Sequence, residues 1–139
     1  MRRVLILALA LAACGGEAKR TTSPDETALR AKVESFSHIQ LPASTRDFTA
    51  ENPAGIDESV IARFVIDRGD VDKLVDSAKF DPPLQKDYQP YPNTEHGWHL
   101  DRIRNLLGGQ ELKNGFSREL VIDLDKPDVA TVYLIASET

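Results

Sequence analysis

The stretch FSRELVIDLDKPDVATVYLIAS, residues 116–137, decides the fold class. Phe116 to Leu124 and Val129 to Ser137 are rich in β-branched and aromatic residues, and apolar positions recur in them at alternate places. Asp125-Lys126-Pro127-Asp128 separates them, a four-residue turn that returns the chain beside itself as a β-hairpin. A second alternation precedes it: Val60, Ala62, Phe64 and Ile66 fall on one face of a strand and Ile61, Arg63, Val65 and Asp67 on the other. Arg68-Gly69 breaks that strand. Asp70 is placed to cap a helix whose apolar residues Val71, Leu74, Val75 and Ala78 follow helical spacing, and Asp81-Pro82-Pro83 closes it.

Upstream, Leu41-Pro42 opens a further extended run that ends near Glu51, with Phe48 its main apolar residue and Asn52-Pro53-Ala54-Gly55 as the turn. A helix is expected from Pro24 to about Ser37, with Ser23 as its cap, Glu26 reaching back, and Leu29, Val33 and Phe36 as a narrow apolar stripe. Downstream, Leu100, Ile103, Leu106 and Leu107 suggest a short helix stopped by Gly108-Gly109, and Asn114-Gly115 marks a turn. Hairpins at both ends of this order predict an α+β fold of two layers, an antiparallel four-stranded sheet with helices on one face.

The N-terminus has a different texture. Met1-Arg2-Arg3 is a short positive segment, and the apolar run Val4 to Ala13 would span only about 15 Å as a helix, half a bilayer's hydrocarbon core. That suits a cleaved export signal rather than a permanent span. It ends in Leu11-Ala12-Ala13-Cys14, and Cys14 is the only cysteine of the chain. This resembles the lipobox of bacterial lipoproteins at every position. The resemblance implies cleavage before Cys14, a diacylglyceryl thioether on its sulfur and an acylated amine, palmitate being a typical chain. Several acyl chains together anchor a protein essentially permanently, at ~0.8 kcal/mol per buried methylene. Gly15 rather than Asp after the cysteine favours the periplasmic face of the outer membrane, with the inner membrane as the alternative. With its one thiol capped, the exported domain would form no internal disulfide. The expected organisation is a signal peptide over 1–13, a lipidated flexible tether over 14–22, an N-terminal helix over 23–38 and an α+β domain over 39–139. Gly55-Ile56-Asp57 and Arg63-Phe64 are also similar to small uncharacterised bacterial lipoproteins, across residues 39–80; that similarity implies no particular activity.

Composition bounds the function. Hydrophobic residues make up 41% and charged residues 28% of 139, an ordinary globular balance for one domain and a tail. With Arg2 and Arg3 set aside, 15 Lys and Arg face 22 Asp and Glu, a net charge of −7. Such a surface repels phosphate backbones and argues against nucleic acid as a partner, while suiting a basic envelope or extracellular protein.

Residues 81–98 hold four prolines, two tyrosines and the only tryptophan, without periodicity. A structureless stretch of that length is more often functional than a plain connector. Tyr88, Tyr91 and Trp98 are therefore candidate partner-binding residues, in competition with rings that simply cover the sheet. His96 and His99 are a weaker candidate pair for a metal, with Glu95, Asp101 or His38 completing the set, against the alternative that Trp98 packs inward and the histidines stay partly solvated. Asp123, Asp125 and Asp128 lack the glycine and the terminal Glu of a calcium loop, and read as solvated hairpin carboxylates. Arg68-Gly69-Asp70 matches an adhesion tripeptide by chance. No nucleophile elbow or phosphate-binding glycine loop is present. No catalytic residue, cofactor or metal is expected, the covalent lipid on Cys14 apart. The leading expectation is a non-enzymatic binding, assembly or inhibitor-like module, the alternatives being a metal-assisted hydrolase using His96 and His99 and a purely structural envelope protein.

Overall fold

The computed structural model describes residues 24–51 and 58–138. The signal segment, Cys14, the tether, the Ser23 cap and the turn with Gly55-Ile56-Asp57 lie outside the described residues. Within them the protein is α+β, two helices packed on an antiparallel sheet of five strands rather than four.

Helix α1 (Pro24–Ser37) buries Val33 fully and Phe36 in part, and closes its exposed side with an Arg30–Glu26 pair at 2.6 Å. Strand β1 (Arg46–Glu51) begins later than the sequence suggests. Residues 42–45 form a tight turn instead, in which the Thr45 amide and hydroxyl both donate to the Pro42 carbonyl. Strand β2 (Ser59–Asp67) alternates as expected, with Val60, Ala62, Phe64 and Ile66 all buried. A single 3-10 turn (Arg68–Asp70) leads into α2 (Val71–Ala78), whose Val71, Leu74 and Ala78 are buried. Asp70 does not cap that helix. Its backbone is already helical there, and its carboxylate accepts the Ser44 hydroxyl at 2.6 Å.

The fifth strand corrects the helix expected around residues 100–107. Leu100–Arg102 is only a 3-10 turn, and Leu106–Lys113 is strand β3, paired along its whole length with β4 (Phe116–Asp123). Asn114 and Gly115, both at positive φ, make the tight hairpin turn between them. Gly108-Gly109 is therefore not a helix stop but the middle of a strand. A Cβ on Gly108 would lie 2.6 Å from the Tyr88 ring, and one on Gly109 would lie 3.1 Å from Leu84. The two glycines leave room for another segment to press against β3 from both sides.

Strand β5 (Val129–Glu138) lies at the centre, and the order is β1-β2-β5-β4-β3 with every neighbour antiparallel. One face of the sheet meets both helices through Phe64, Ile66, Leu74, Leu120, Val132 and Leu134. The opposite face carries a second apolar cluster, Leu106, Val121, Ile61, Tyr133 and Ile135, covered by Tyr88, Trp98, Leu100 and Ile103. Residues 81–105 thus form a strap that starts on the helix side, rounds the β3 edge and covers the face that bears no helix. Among the described residues no helix is long and apolar enough to cross a membrane.

Beneath α1, Arg118 and Glu111 are buried together. The guanidinium donates to Glu111 at 3.0 Å and to the Ser37 carbonyl at 2.8 Å, and stacks 4.4 Å from the Phe80 ring centre. The other Glu111 oxygen accepts the Asp81 amide at 2.8 Å. This cluster joins the end of α1, the strap's first residue and the β3–β4 hairpin.

Candidate binding surface on the strap face

The strap is pinned at both ends. At its start it crosses the β3 edge: Gln85 exchanges two backbone hydrogen bonds with Gly108, at 2.8 and 3.0 Å. Leu84 then falls on the helix side and Tyr88 on the opposite side. At its end, Asp125 clasps it. The Asp125 carboxylate accepts the amides of Asn105 at 2.7 Å and Arg104 at 3.1 Å, while its own amide donates to Asp123 at 2.9 Å. Asp125, exposed as expected of a hairpin acid, is also the fastener for the end of the strap, and Asp123 holds the Asp125 amide in place. A spacing rule could not show this, because the partners are 20 residues away.

Between the pins, local geometry sorts the aromatic residues. Thr94–His96 is one 3-10 turn, and Gly97 follows at φ 72°, a left-handed conformation that suits glycine. The Asn93 carbonyl accepts the amides of both His96 and Trp98, at 3.1 Å each. This reversal sends Trp98 down onto the sheet, 7% exposed, with its ring 5.0 Å from Tyr133 in an edge-to-face contact. Tyr88 is half-buried and donates its hydroxyl to Glu119. Burial first, then the bond to Glu119 and its charge, then nearby Tyr91, hold the Tyr88 phenol well above its ordinary pKa. Tyr91, between Pro90 and Pro92, is 83% exposed. The three aromatic candidates therefore do not share one platform: Trp98 and Tyr88 belong to the apolar cluster under the strap, and Tyr91 alone offers its ring to solvent.

Trp98 forms the floor of an open depression of about 530 Å³ between the strap and strands β1 and β2. Both candidate histidines border it. His96 sets its ring at a tilt against Trp98, 5.4 Å between centres, and lies 3.8 Å from the carboxylates of Glu51 and Glu95. His99, Arg63, Arg102, Thr49, Asp123 and Asp125 also line the depression. His38 is elsewhere, on the helix side against Phe116 at 5.8 Å, and Asp101 borders a neighbouring cleft under residues 86–90. Among the described residues no three His, Cys, Asp or Glu side chains converge as a metal-binding group.

Compared with protein-family models, curated proteins and solved structures, the chain matches none.

The adhesion-like tripeptide is committed to the fold. Arg68 donates to the carbonyls of Leu124 at 2.9 Å and Lys126 at 3.2 Å, and Asp70 holds Ser44. Sequence reasoning passed over Arg63 and Arg102. The available signal was weak: Arg63 stands between Ile61 and Val65, a single charge in a run that is otherwise apolar from Val60 to Ile66.

Proposed function

We propose that this chain is an envelope lipoprotein whose folded part is a non-enzymatic binding or assembly module. Lipid on Cys14 would hold it at a bilayer, the outer membrane being favoured by Gly15, and the strap face would meet a basic envelope or extracellular protein. An inhibitor-like role toward a cationic partner is one form of this reading. The observation that carries it is Tyr91: a large ring, 83% exposed, flanked by two prolines on a segment fastened at both ends. A ring presented so rigidly loses little entropy on docking, and exposed Tyr is a frequent energetic centre of interfaces. Exposed Asp87, Glu95 and Asp101 on the same segment supply negative charge for steering a basic partner.

The test has two arms. The N-terminal peptide of the native protein should carry acyl chains on Cys14, by mass spectrometry; a bare thiol, or residues 1–13 still attached, removes the anchor. The chain with Cys14→Ser should capture a protein partner from envelope extracts, weakening as salt rises from 0.05 to 0.3 M, approximate limits set by Debye screening. Tyr91→Ala should reduce capture by roughly 30-fold, the about 2 kcal/mol of an interface hot spot. Capture insensitive to both salt and Tyr91 refutes this use of the strap.

A further inference from the structure

We propose that the depression floored by Trp98 and Tyr133 is a binding site for a small ligand of sugar size carrying one oxyanion, a carboxylate or a phosphate monoester, held by Arg63 and Arg102. This site is separate from the Tyr91 surface and stands whether or not that surface takes a protein.

Most arginines of the described residues are already engaged. Arg30 pairs with Glu26, Arg46 with Asp67 and Arg118 with Glu111, and Arg68 bonds two carbonyls. Acids outnumber bases on this chain, so an arginine finds a carboxylate easily. Arg63 and Arg102 nevertheless form no ion pair and no side-chain hydrogen bond among the described residues, and both border the same depression. The acids beside them are turned to other work. Asp125 spends its carboxylate on two backbone amides and Asp123 accepts a third. The unsatisfied hydrogen-bonding capacity on the rim is therefore mostly donor capacity, from two guanidinium groups.

Arg63 is also oriented. Its guanidinium carbon lies 5.7 Å from the centre of the Tyr133 ring, a cation–π contact that steadies the group while leaving N–H edges for a ligand. A planar fork of that kind matches carboxylate and phosphate oxygens two at a time. The about 530 Å³ of space falls within the range of small-molecule sites, and its lining is largely polar around the Trp98 and Tyr133 rings, which suits a charged, hydroxyl-rich ligand better than an apolar one. Thr49 and His99 add hydroxyl and imidazole groups suited to a polyhydroxylated body. Asp123 and Asp125 also line this depression, so the anion belongs against the two guanidinium groups and away from the clasp.

The experiment titrates the full chain in mild detergent, at fixed ionic strength, with glucuronate, glucose 6-phosphate, inorganic phosphate and glucose. The readout is fluorescence of Trp98, the only tryptophan. Glucuronate or glucose 6-phosphate should give a saturating change, and which of the two binds more tightly distinguishes a sugar acid from a sugar phosphate. Glucose should bind at least tenfold more weakly than the better of them. Arg63→Gln and Arg102→Gln should each weaken binding at least tenfold with an unchanged circular dichroism spectrum, while Arg104→Gln, in the neighbouring cleft, should not. An equal response to glucose overturns the proposal. So does a Gln double variant that binds like the parent, or the absence of saturation by either charged sugar below about 20 mM, weaker than the millimolar affinity that marks the low end of specific binding.

Discussion

Replacing Arg118 with Met tests how the buried ion pair under α1 supports the fold. Met fills much of the same volume above Phe80 but carries no charge and no donor. Glu111, its side chain 11% exposed, would keep only the Asp81 amide, and the Ser37 carbonyl would lose its partner. Breaking one side of a buried pair costs about 3–5 kcal/mol, because the remaining charge stays out of water uncompensated. The two losses overlap, so that range stands for the whole substitution. For a folded unit of about 110 residues, at ~2.1 cal/mol/K of unfolding entropy per residue, this lowers Tm by roughly 13–22 °C. Urea unfolding followed by Trp98 fluorescence suits the measurement, since Trp98 is buried on the opposite face of the sheet and reports the global transition. Adding Glu111→Gln removes the stranded charge and still leaves an oxygen for the Asp81 amide. The double variant should therefore recover about 1–2 kcal/mol relative to Arg118→Met alone, a coupling expected of directly bonded groups. A loss below about 1 kcal/mol for Arg118→Met, or strict additivity in the pair, would refute the reasoning.

Gly108→Ala should destabilise by about 1–3 kcal/mol, since its methyl would overlap the Tyr88 ring, and urea titration should show it. The Tyr88 phenol, raised in the folded state by burial and by Glu119, should titrate above free tyrosine in ultraviolet absorbance, and Glu119→Gln should bring it down. Because that folded pKa lies above the unfolded one, the bond's contribution is complete below about pH 10 and is lost as pH rises through the folded value. Asp125→Ala should release the end of the strap, at a cost of about 1–2 kcal/mol, with faster hydrogen exchange at the Arg104 and Asn105 amides; unchanged protection there would contradict the clasp. Tyr91→Ala should leave stability within about 0.5 kcal/mol of the parent by thermal melting, as an exposed ring requires.

The regular core was legible because its residues obey a local period. Pro24–Ser37 as a helix, the β2 alternation, α2 and the β4–β5 hairpin all follow from spacing that packing then reinforced. β3 was not legible, since Leu100, Ile103, Leu106 and Leu107 happen to fit a helical spacing. Its glycines also answer to Leu84 and Tyr88, which are distant in sequence. The start of β1 was displaced by the hydrogen-bonded turn at Thr45, a preference that composition alone does not weigh. At the candidate surface, the sequence marked the strap but could not divide its aromatic rings between interior and solvent. That division depends on the left-handed turn at Gly97 and on the Asp125 clasp.

The crossing of β3 by Gln85 has a consequence for how copies of this chain behave beside one another. A sheet's outermost strand carries a ladder of free amides and carbonyls that can recruit a neighbour's strand and seed aggregates. Here one border is occupied by the chain's own residues at Gly108. The other, β1, is only six residues long, breaks register between Arg46 and Thr49, and carries charges at Arg46, Asp47 and Glu51. The lipid anchor proposed on Cys14 would confine the chain to two dimensions, where copies meet far more often than in bulk, and with both borders blunted such encounters would find no ready template for stacking sheet to sheet.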